Sequence, residues 1–510
     1  MVNRLGDRSH RPLQRSQGRL LFLLMATLSL GWGGGSPATA AAAGLCPAQL
    51  GEEIEAIVSR PEFLRARWGI AVQSLAADAP LLYGREAEQY FIPASNVKLM
   101  TTAAALVMLP PDEQIRTAVY WENDDADAAV VRIVGRGDPS LTREDLADLA
   151  GQLRDRGIRQ IARLIVEDQY FGDDPVHPNW EWEDVQAGYG APVNSLILDL
   201  NEIPFWLYPQ AVGQPLRLVW EDATQAGRWQ VDDQTVTATA ESPAFVAVGR
   251  DLSRPILHIR GQLPVGGQPD RSAVSVPDPS DHFRRAFVQI LTAAAIPVGE
   301  SHLAIAPTTP AGEAVAAVLS PPLAELVRIA NQDSDNLHAE ALLRQMGAIA
   351  TATPNLLPPD ALRPNAATLE AGLAALQFSL SEIGVNADTY RLADGSGLSR
   401  HNLVSPIALV QTLAAMARHP QGSVYRESLA IAGQTGTLRS RFRNTPVEGR
   451  LAGKTGGLSG ISALSGYLDP PNYEPLVFSI MVNHASHPGS RLRAAIDDMV
   501  LRLAQLQDGC

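Results

Sequence analysis

Lys98 and Lys454 are the only lysines among the 41 basic residues of this chain; the rest are arginine. Lysine, unlike arginine, can give up its proton in a desolvated site, and it offers a compact ammonium in place of a planar fork. Both lysines sit in short reactive patterns. Ser95-Asn96-Val97-Lys98 opens a stretch rich in Ala, Leu and Met that reads as a helix over Pro93–Leu109, stopped by Pro110-Pro111. A spacing of three on a helix puts Ser95 and Lys98 on one face, a turn apart, beside the free N–H groups of the helix start. A serine hydroxyl is a poor nucleophile until a base takes its proton. A neutral Lys98 amine can be that base, whereas an arginine cannot. Alone this pattern is weak, since a Ser three residues before a given Lys arises by chance about once in 15. Lys454-Thr455-Gly456-Gly457, at the end of a strand expected over Arg450–Lys454, is more specific, on the order of once in 200 for Thr-Gly after a Lys. A third element, Ser334-Asp335-Asn336, lies between two helical stretches. It also suits the N-cap of a helix over Leu337–Gly347, and Asp335 reads as structural.

The elements that must position these residues follow from periodicity and turn chemistry. Pro47–Arg60 reads as a helix with Leu50, Ile54, Ile57 and Val58 on one face, followed by strands at Trp68–Leu75 and Leu81–Tyr83. From about 116 to 307 the character changes. Strand-like stretches (Val130–Val134, Leu216–Trp220, Val236–Ala238, Ile256–Ile259) alternate with turns, a helix is expected at Thr142–Arg156, and six of the eight Trp fall here. Helix resumes from Pro321 to Gly347 and at Leu369–Ile383, across a Pro-rich connector at Ala352–Pro364. Strands Ile461–Leu468 and Leu476–Asn483 and an amphipathic helix Ser490–Leu506 close the chain.

Composition narrows the classes. With 510 residues, 45% hydrophobic and 19% charged, the chain is globular, neither disordered nor a multi-span membrane protein. A net charge of -14 argues against nucleic acid and anionic lipid as partners. Two cysteines make neither a disulfide-rich scaffold nor a four-cysteine zinc site, and the ten histidines include no His-Glu-x-x-His, so no metal or cofactor is expected. Arg4, Arg8, Arg11, Arg15 and Arg19 precede an apolar run over Leu20–Trp32 and small residues ending in Ala38-Thr39-Ala40. This reads as an export leader over residues 1–40, leaving no stable membrane span after cleavage and a chain at work in the periplasm or cell envelope. Gly135-Arg136-Gly137 lacks the spacing of a dinucleotide loop, and Glu122–Asp127 reads as a solvated loop. His338-Ala339-Glu340 reads as helix surface, and Trp180-Glu181-Trp182 as core of the 116–307 stretch.

In their order along the chain, the three motifs are the set found in penicillin-binding proteins and class A β-lactamases. The sequence resembles the penicillin-recognising serine DD-peptidases. The long stretch between Ser95 and Ser334 is similar to that of the class C low-molecular-mass D-Ala-D-Ala carboxypeptidases/endopeptidases, peptidase family S13. Phe91-Ile92-Pro93-Ala94, Gly137-Asp138-Pro139-Ser140, Tyr189-Gly190-Ala191-Pro192, Asp394-Gly395-Ser396-Gly397 and Gly436-Thr437-Leu438 agree with it. The resemblance implies an α/β (α+β) penicillin-binding-protein/β-lactamase-like domain, an antiparallel sheet flanked by helices. That domain is split between 41–115 and 308–510 by a β-rich insertion at 116–307 of one or two small domains. It implies a serine peptidase acting on peptidoglycan stem peptides, with β-lactams as covalent inhibitors. Ser95 would be the nucleophile, Lys98 the acylation base, kept deprotonated partly by Lys454, and Ser334 the proton relay to the leaving nitrogen. Asn336 would bind the substrate amide and hold Lys98, Lys454 and Thr455 would recognise the terminal carboxylate, and Gly457 with Ser95 would form the oxyanion hole. A β-lactamase or esterase on the same fold and a penicillin-binding wall-synthesis scaffold stand as alternatives. The resembling fold packs both terminal helices on one face of the sheet, which implies a Cys46–Cys510 disulfide; free thiols, or a dimer joined through Cys510, remain open.

Overall fold

The computed structural model describes residues 44–510 apart from 77–78, 124, 126–127, 308–309, 311, 354, 359–360 and 364–365. The leader expected over 1–40 lies outside the described residues. The chain begins with α1 (Leu50–Val58), β1 (Arg67–Ser74), β2 (Leu81–Arg85) and α2 (Val97–Met108). It then passes through β3 (Arg116–Trp121), β4 (Ala129–Val134), α3 (Arg143–Asp155), β5 (Ile161–Glu167), β6 (Glu202–Tyr208), β7 (Arg217–Trp220) and β8 (Gln230–Ala238). β9 (Phe245–Arg250), β10 (Ile256–Pro264), β11 (Asp270–Ser275), α4 (Pro279–Ala293), β12 (Val298–Leu303) and β13 (Ala314–Leu319) follow. The return is mostly helical: α5 (Leu323–Gln332), α6 (Asn336–Ala352), α7 (Thr368–Glu382), the short pair β14 (Tyr390–Arg391) and β15 (Leu403–Val404), α8 (Pro406–Arg418) and α9 (Gly422–Glu427). β16 (Ala430–Ile431), β17 (Leu451–Leu458), β18 (Ile461–Leu468), β19 (Leu476–Asn483) and α10 (Gly489–Leu503) end the chain.

The principal sheet is antiparallel in the order β16-β17-β18-β19-β1-β2. Every residue of β18 and β19 is buried, because helices cover both faces of these central strands. On one face Trp68, Ile70 and Val72 meet Leu50 and Ile54 of α1 and Leu492, Ile496 and Met499 of α10. On the other, Ala71, Ala463 and Met481 meet α2 and the α5–α8 lobe through Leu99, Leu326, Met346, Leu376 and Leu409. α2 is buried from Val97 to Leu106, so it is apolar nearly all round.

The stretch between α2 and α5 holds three further sheets. A five-stranded sheet, β12-β5-β4-β3-β13, packs α3 and α4 on Val131, Ile133 and Leu164. Its strand β13 pairs with β3, so this sheet takes a strand from beyond residue 307. Two three-stranded sheets, β8-β10-β9 and β11-β6-β7, share a core of Phe205, Trp229, Leu257 and Ile259. A last cluster joins this stretch to the helical lobe, with Phe171, Trp180, Val193 and Ile197 against Leu337, Ala341, Ala348 and Leu398.

One expected helix starts late, and the expected break between two helical stretches is present. Pro93–Leu109 starts as a 3-10 turn, Ala94–Asn96, before α2. Pro321–Gly347 breaks into α5 and α6 at Ser334, whose φ of 61° no helix accepts. Asp335 caps α6 by accepting the His338 N–H at 2.8 Å. The chain ends meet: Leu45 pairs with Leu506, and Cys46 is bonded to Cys510 with Cα atoms 5.8 Å apart. The free-thiol and dimer alternatives for these cysteines therefore fall away.

Candidate active site

Four segments distant in sequence converge on one cleft. The turn before α2 presents Ser95, the break between α5 and α6 presents Ser334 and Asn336, and β17 presents Lys454, Thr455 and Gly457. The loop after β14 closes the fourth side. Asn96 Nδ2 donates to the Lys454 carbonyl at 3.1 Å and so ties the start of α2 to β17. Gly397, at φ 82°, lies against the Ser95 turn; a Cβ there would sit 2.0 Å from the Ala94 carbonyl oxygen.

Lys98 is fully buried. Its Nζ lies 2.7 Å from Asn336 Oδ1, 2.7 Å from the Ser396 carbonyl oxygen and 3.0 Å from Ser95 Oγ. The first two atoms can only accept. The orientation of Asn336 is set by its own Nδ2, which donates to the Tyr189 carbonyl at 2.8 Å. A neutral amine therefore spends both N–H bonds on Asn336 and Ser396, and its lone pair faces the Ser95 hydroxyl. Burial lowers the Lys98 pKa to about 8, although Asp394, Asp335 and Glu340 pull it up.

Lys454 is equally buried and donates to Ser334 Oγ at 2.8 Å and to the Thr455 carbonyl at 3.1 Å. Burial, and then the charge of Lys98, push its pKa well down. Desolvation thus leads at both amines, and the like-charge repulsion between them acts on each, as expected for a lysine that helps keep its neighbour deprotonated. Thr455 Oγ1 is 2.8 Å from Thr437 Oγ1, in the Gly436–Leu438 turn.

The cleft holds about 670 Å³ and is lined by Ser95, Ser334, Asn336 and Gly457 together with a second group, Glu181, Glu183, Asp184, Tyr189 and Arg400. All of the second group except Arg400 comes from the stretch between α2 and α5. Arg400 pairs with Glu181 at 3.0 Å, and the Tyr189 hydroxyl donates to Asp184 at 3.0 Å.

All seven residues singled out by motif belong to this neighbourhood. Two expectations for other residues fail. Glu340 and His338 are buried, because α6 runs through the lobe with the Asp394 loop on one side. Trp180 and Trp182 part company: Trp182 is 63% exposed, whereas Trp180 is buried and donates to Asp394 Oδ2 at 3.0 Å. Tyr189, Ser396, Glu340 and Asp394 carry no catalytic motif. The spacing Asn336, Glu340, Arg344, a polar stripe of period four along α6, was the signal for Glu340, and it reads equally as a solvated face.

A nucleophile, a desolvated amine and a second lysine-bound hydroxyl around one opening make an acyl-transfer site. Comparison with known proteins agrees. The D-alanyl-D-alanine carboxypeptidase of Actinomadura sp. (strain R39) is 32% identical over 489 residues, covering 92% of this chain and 87% of that protein. The D-alanyl-D-alanine carboxypeptidase DacB of Haemophilus influenzae is 26% identical over 406 residues, covering 77% of this chain and 81% of its own. The crystal structure of penicillin binding protein 4 (dacB) from Haemophilus influenzae shares the fold, with a TM-score of 0.73 at 23% identity, covering 88% of this chain and 98% of that one. The pattern of the D-Ala-D-Ala carboxypeptidase 3 (S13) family runs from residue 50 to residue 506, through every element that builds the cleft, and the chain belongs to that family.

Proposed function

We propose that the protein is a serine D-Ala-D-Ala carboxypeptidase acting on peptidoglycan stem peptides through an acyl-enzyme on Ser95. The observation that carries this reading is the Lys98 amine, whose two N–H bonds are engaged by acceptors and whose lone pair is left for Ser95 Oγ at 3.0 Å. Ser95 Oγ attacks the carbonyl of the penultimate D-Ala as its proton passes to Lys98. The N–H groups of Ser95 and Gly457 receive the oxyanion. Ser334, bonded to Lys454, delivers a proton to the departing D-Ala nitrogen, and water then opens the ester. Lys454 and Thr455, with Thr437 beside it, hold the terminal carboxylate. Asn336 fixes Lys98 and keeps a second N–H for the substrate. β-Lactams, which carry a reactive amide in the same relation to a carboxylate, acylate Ser95 and block it.

The protein works outside the cytoplasm, in the periplasm or cell envelope, directed there by the leader at 1–40. The paired Cys46 and Cys510 support this, since such bonds persist in oxidising compartments.

Benzylpenicillin labelling followed by peptide mass mapping, together with D-Ala release from a stem pentapeptide, tests the assignment. The adduct is expected on the Ser95 peptide, and Ser95→Ala should abolish both signals. An adduct on Ser334, or rapid turnover of penicillin with no D-Ala release, would overturn it.

A further inference from the structure

We propose that Glu340 is a positioning residue for Lys98, acting through the loop Asp394–Ser399. Glu340 lies one helical turn beyond Asn336 on α6 and is fully buried. Its Oε1 accepts the N–H groups of Gly395 at 2.9 Å and of Ser396 at 2.7 Å. Gripping two successive amides fixes the peptide planes on either side of Gly395, and Asp394, by accepting the Gly397 N–H, fixes the next plane, so that together they hold the Ser396 carbonyl toward Lys98 Nζ, which it meets at 2.7 Å. The same loop wraps Asp394, which accepts from Gly397 N at 2.8 Å, Ser399 N at 2.6 Å and Asn402 Nδ2 at 2.7 Å. One helix face thus holds Lys98 from both sides, directly through Asn336 and through the loop by Glu340. This deepens the reading of Lys98 as the acylation base and rests on it.

A buried carboxylate here has a second effect that a neutral clamp would lack. Asp394 on the loop and Arg344 on α6 act on it directly, and its own charge reaches Lys98 on α2; one step further out, Asp335 bonds His338, Asp173 pairs with Arg344, and His177 lies within the field of Asp394. Burial and the Asp394 charge raise the Glu340 pKa to about 7. Above that pH its negative charge favours protonated Lys98, as do those of Asp394 and Asp335. Glu340 therefore aims the amine and also tempers how readily it loses its proton.

Three variants of the full-length protein separate these effects, read as the rate of Ser95 acylation by benzylpenicillin between about pH 5 and 10. Glu340→Gln keeps an acceptor for both amides but removes the charge. Its acid limb should move to lower pH by about one unit. Glu340→Asp keeps the charge on a shorter arm and should acylate more slowly with the limb in place. Glu340→Leu removes both clamp and charge, and should lower the plateau rate above the limb about 10²-fold, with the limb itself displaced as in the Gln variant. A Gln variant whose limb coincides with that of the unaltered protein would overturn the proposal, and so would a Leu variant that acylates at the full rate. If the Leu variant does not fold, the Gln profile alone decides. Absence of any Ser95 adduct in the unaltered protein would instead count against the Ser95–Lys98 mechanism itself.

Discussion

Lys98 owes its basicity to what surrounds it. Removing the amine from water lowers its pKa, and two fixed acceptors leave one direction for its lone pair. Lys98→Arg should therefore be nearly as damaging as Lys98→Ala although the charge is kept, with acylation by benzylpenicillin lowered ~10²–10⁴-fold in both. An Arg variant acylating at a near-normal rate would remove Lys98 from the base role. The sign of the pH dependence follows from the same state. The working form is the neutral amine, so acylation should rise with pH through a value near 8 and fall about tenfold per unit below it. Lys98 and Lys454 titrate as a pair, so the observed midpoint belongs to both. A flat acylation rate from pH 6 to 9 would contradict this. At this scale the sequence was highly legible: with only two lysines in the chain, each motif that held one pointed to the cleft. Glu340 was not legible, because an acid in a helix is normally solvated, and nothing local reveals that a distant loop covers it.

Among the elements, α6 and the 394–399 loop do most to place the site. The contact of this loop with the Ser95 turn allows little room: an added Cβ at Gly397 would meet the Ala94 carbonyl at 2.0 Å, and the φ of 82° disfavours any L side chain. Gly397→Ala should push the Ser95 turn away from Lys98, lower the melting temperature and slow acylation by about 10²-fold. Unchanged acylation would show that the turn does not depend on this packing. The same loop is held from the other side by Trp180, which stacks on His177 and donates to Asp394. Trp180→Phe keeps the apolar ring but strips a donor from a buried carboxylate. It should cost about 1–3 kcal/mol, read by denaturant unfolding, with no loss expected if the indole N–H is dispensable.

Across the whole molecule, the first and last elements pack on the same sheet face and are bonded to one another. The Cys46–Cys510 bond closes a loop with a sequence separation of 464. Chain entropy assigns more than ~4 kcal/mol to so long a loop, and residual structure in the unfolded chain reduces what is realised. A reductant should lower the melting temperature of the native protein and leave that of a Cys46→Ser, Cys510→Ser double variant unmoved. Equal melting of both proteins in the absence of reductant would show that the bond adds nothing. The last three strands and the amphipathic helices at the two ends were readable from periodicity, while their assembly into an antiparallel sheet with flanking helices was implied by the family resemblance. The reach of the five-stranded sheet to β13 was not readable, because β13 pairs with β3, nearly the whole stretch of chain away.

Sequence by itself determined the reagents: a serine a turn before a lysine, a second lysine followed by Thr-Gly-Gly, a Ser-x-Asn element, and a family resemblance that ordered them. These are local facts, set by residue type and spacing. Only the tertiary structure decided that both lysines are stripped of water side by side, that Tyr189 orients Asn336 from a remote segment, and that α6 turns a polar stripe inward. Desolvation and hydrogen-bond geometry depend on which surfaces cover one another, and residues hundreds of positions apart do the covering here.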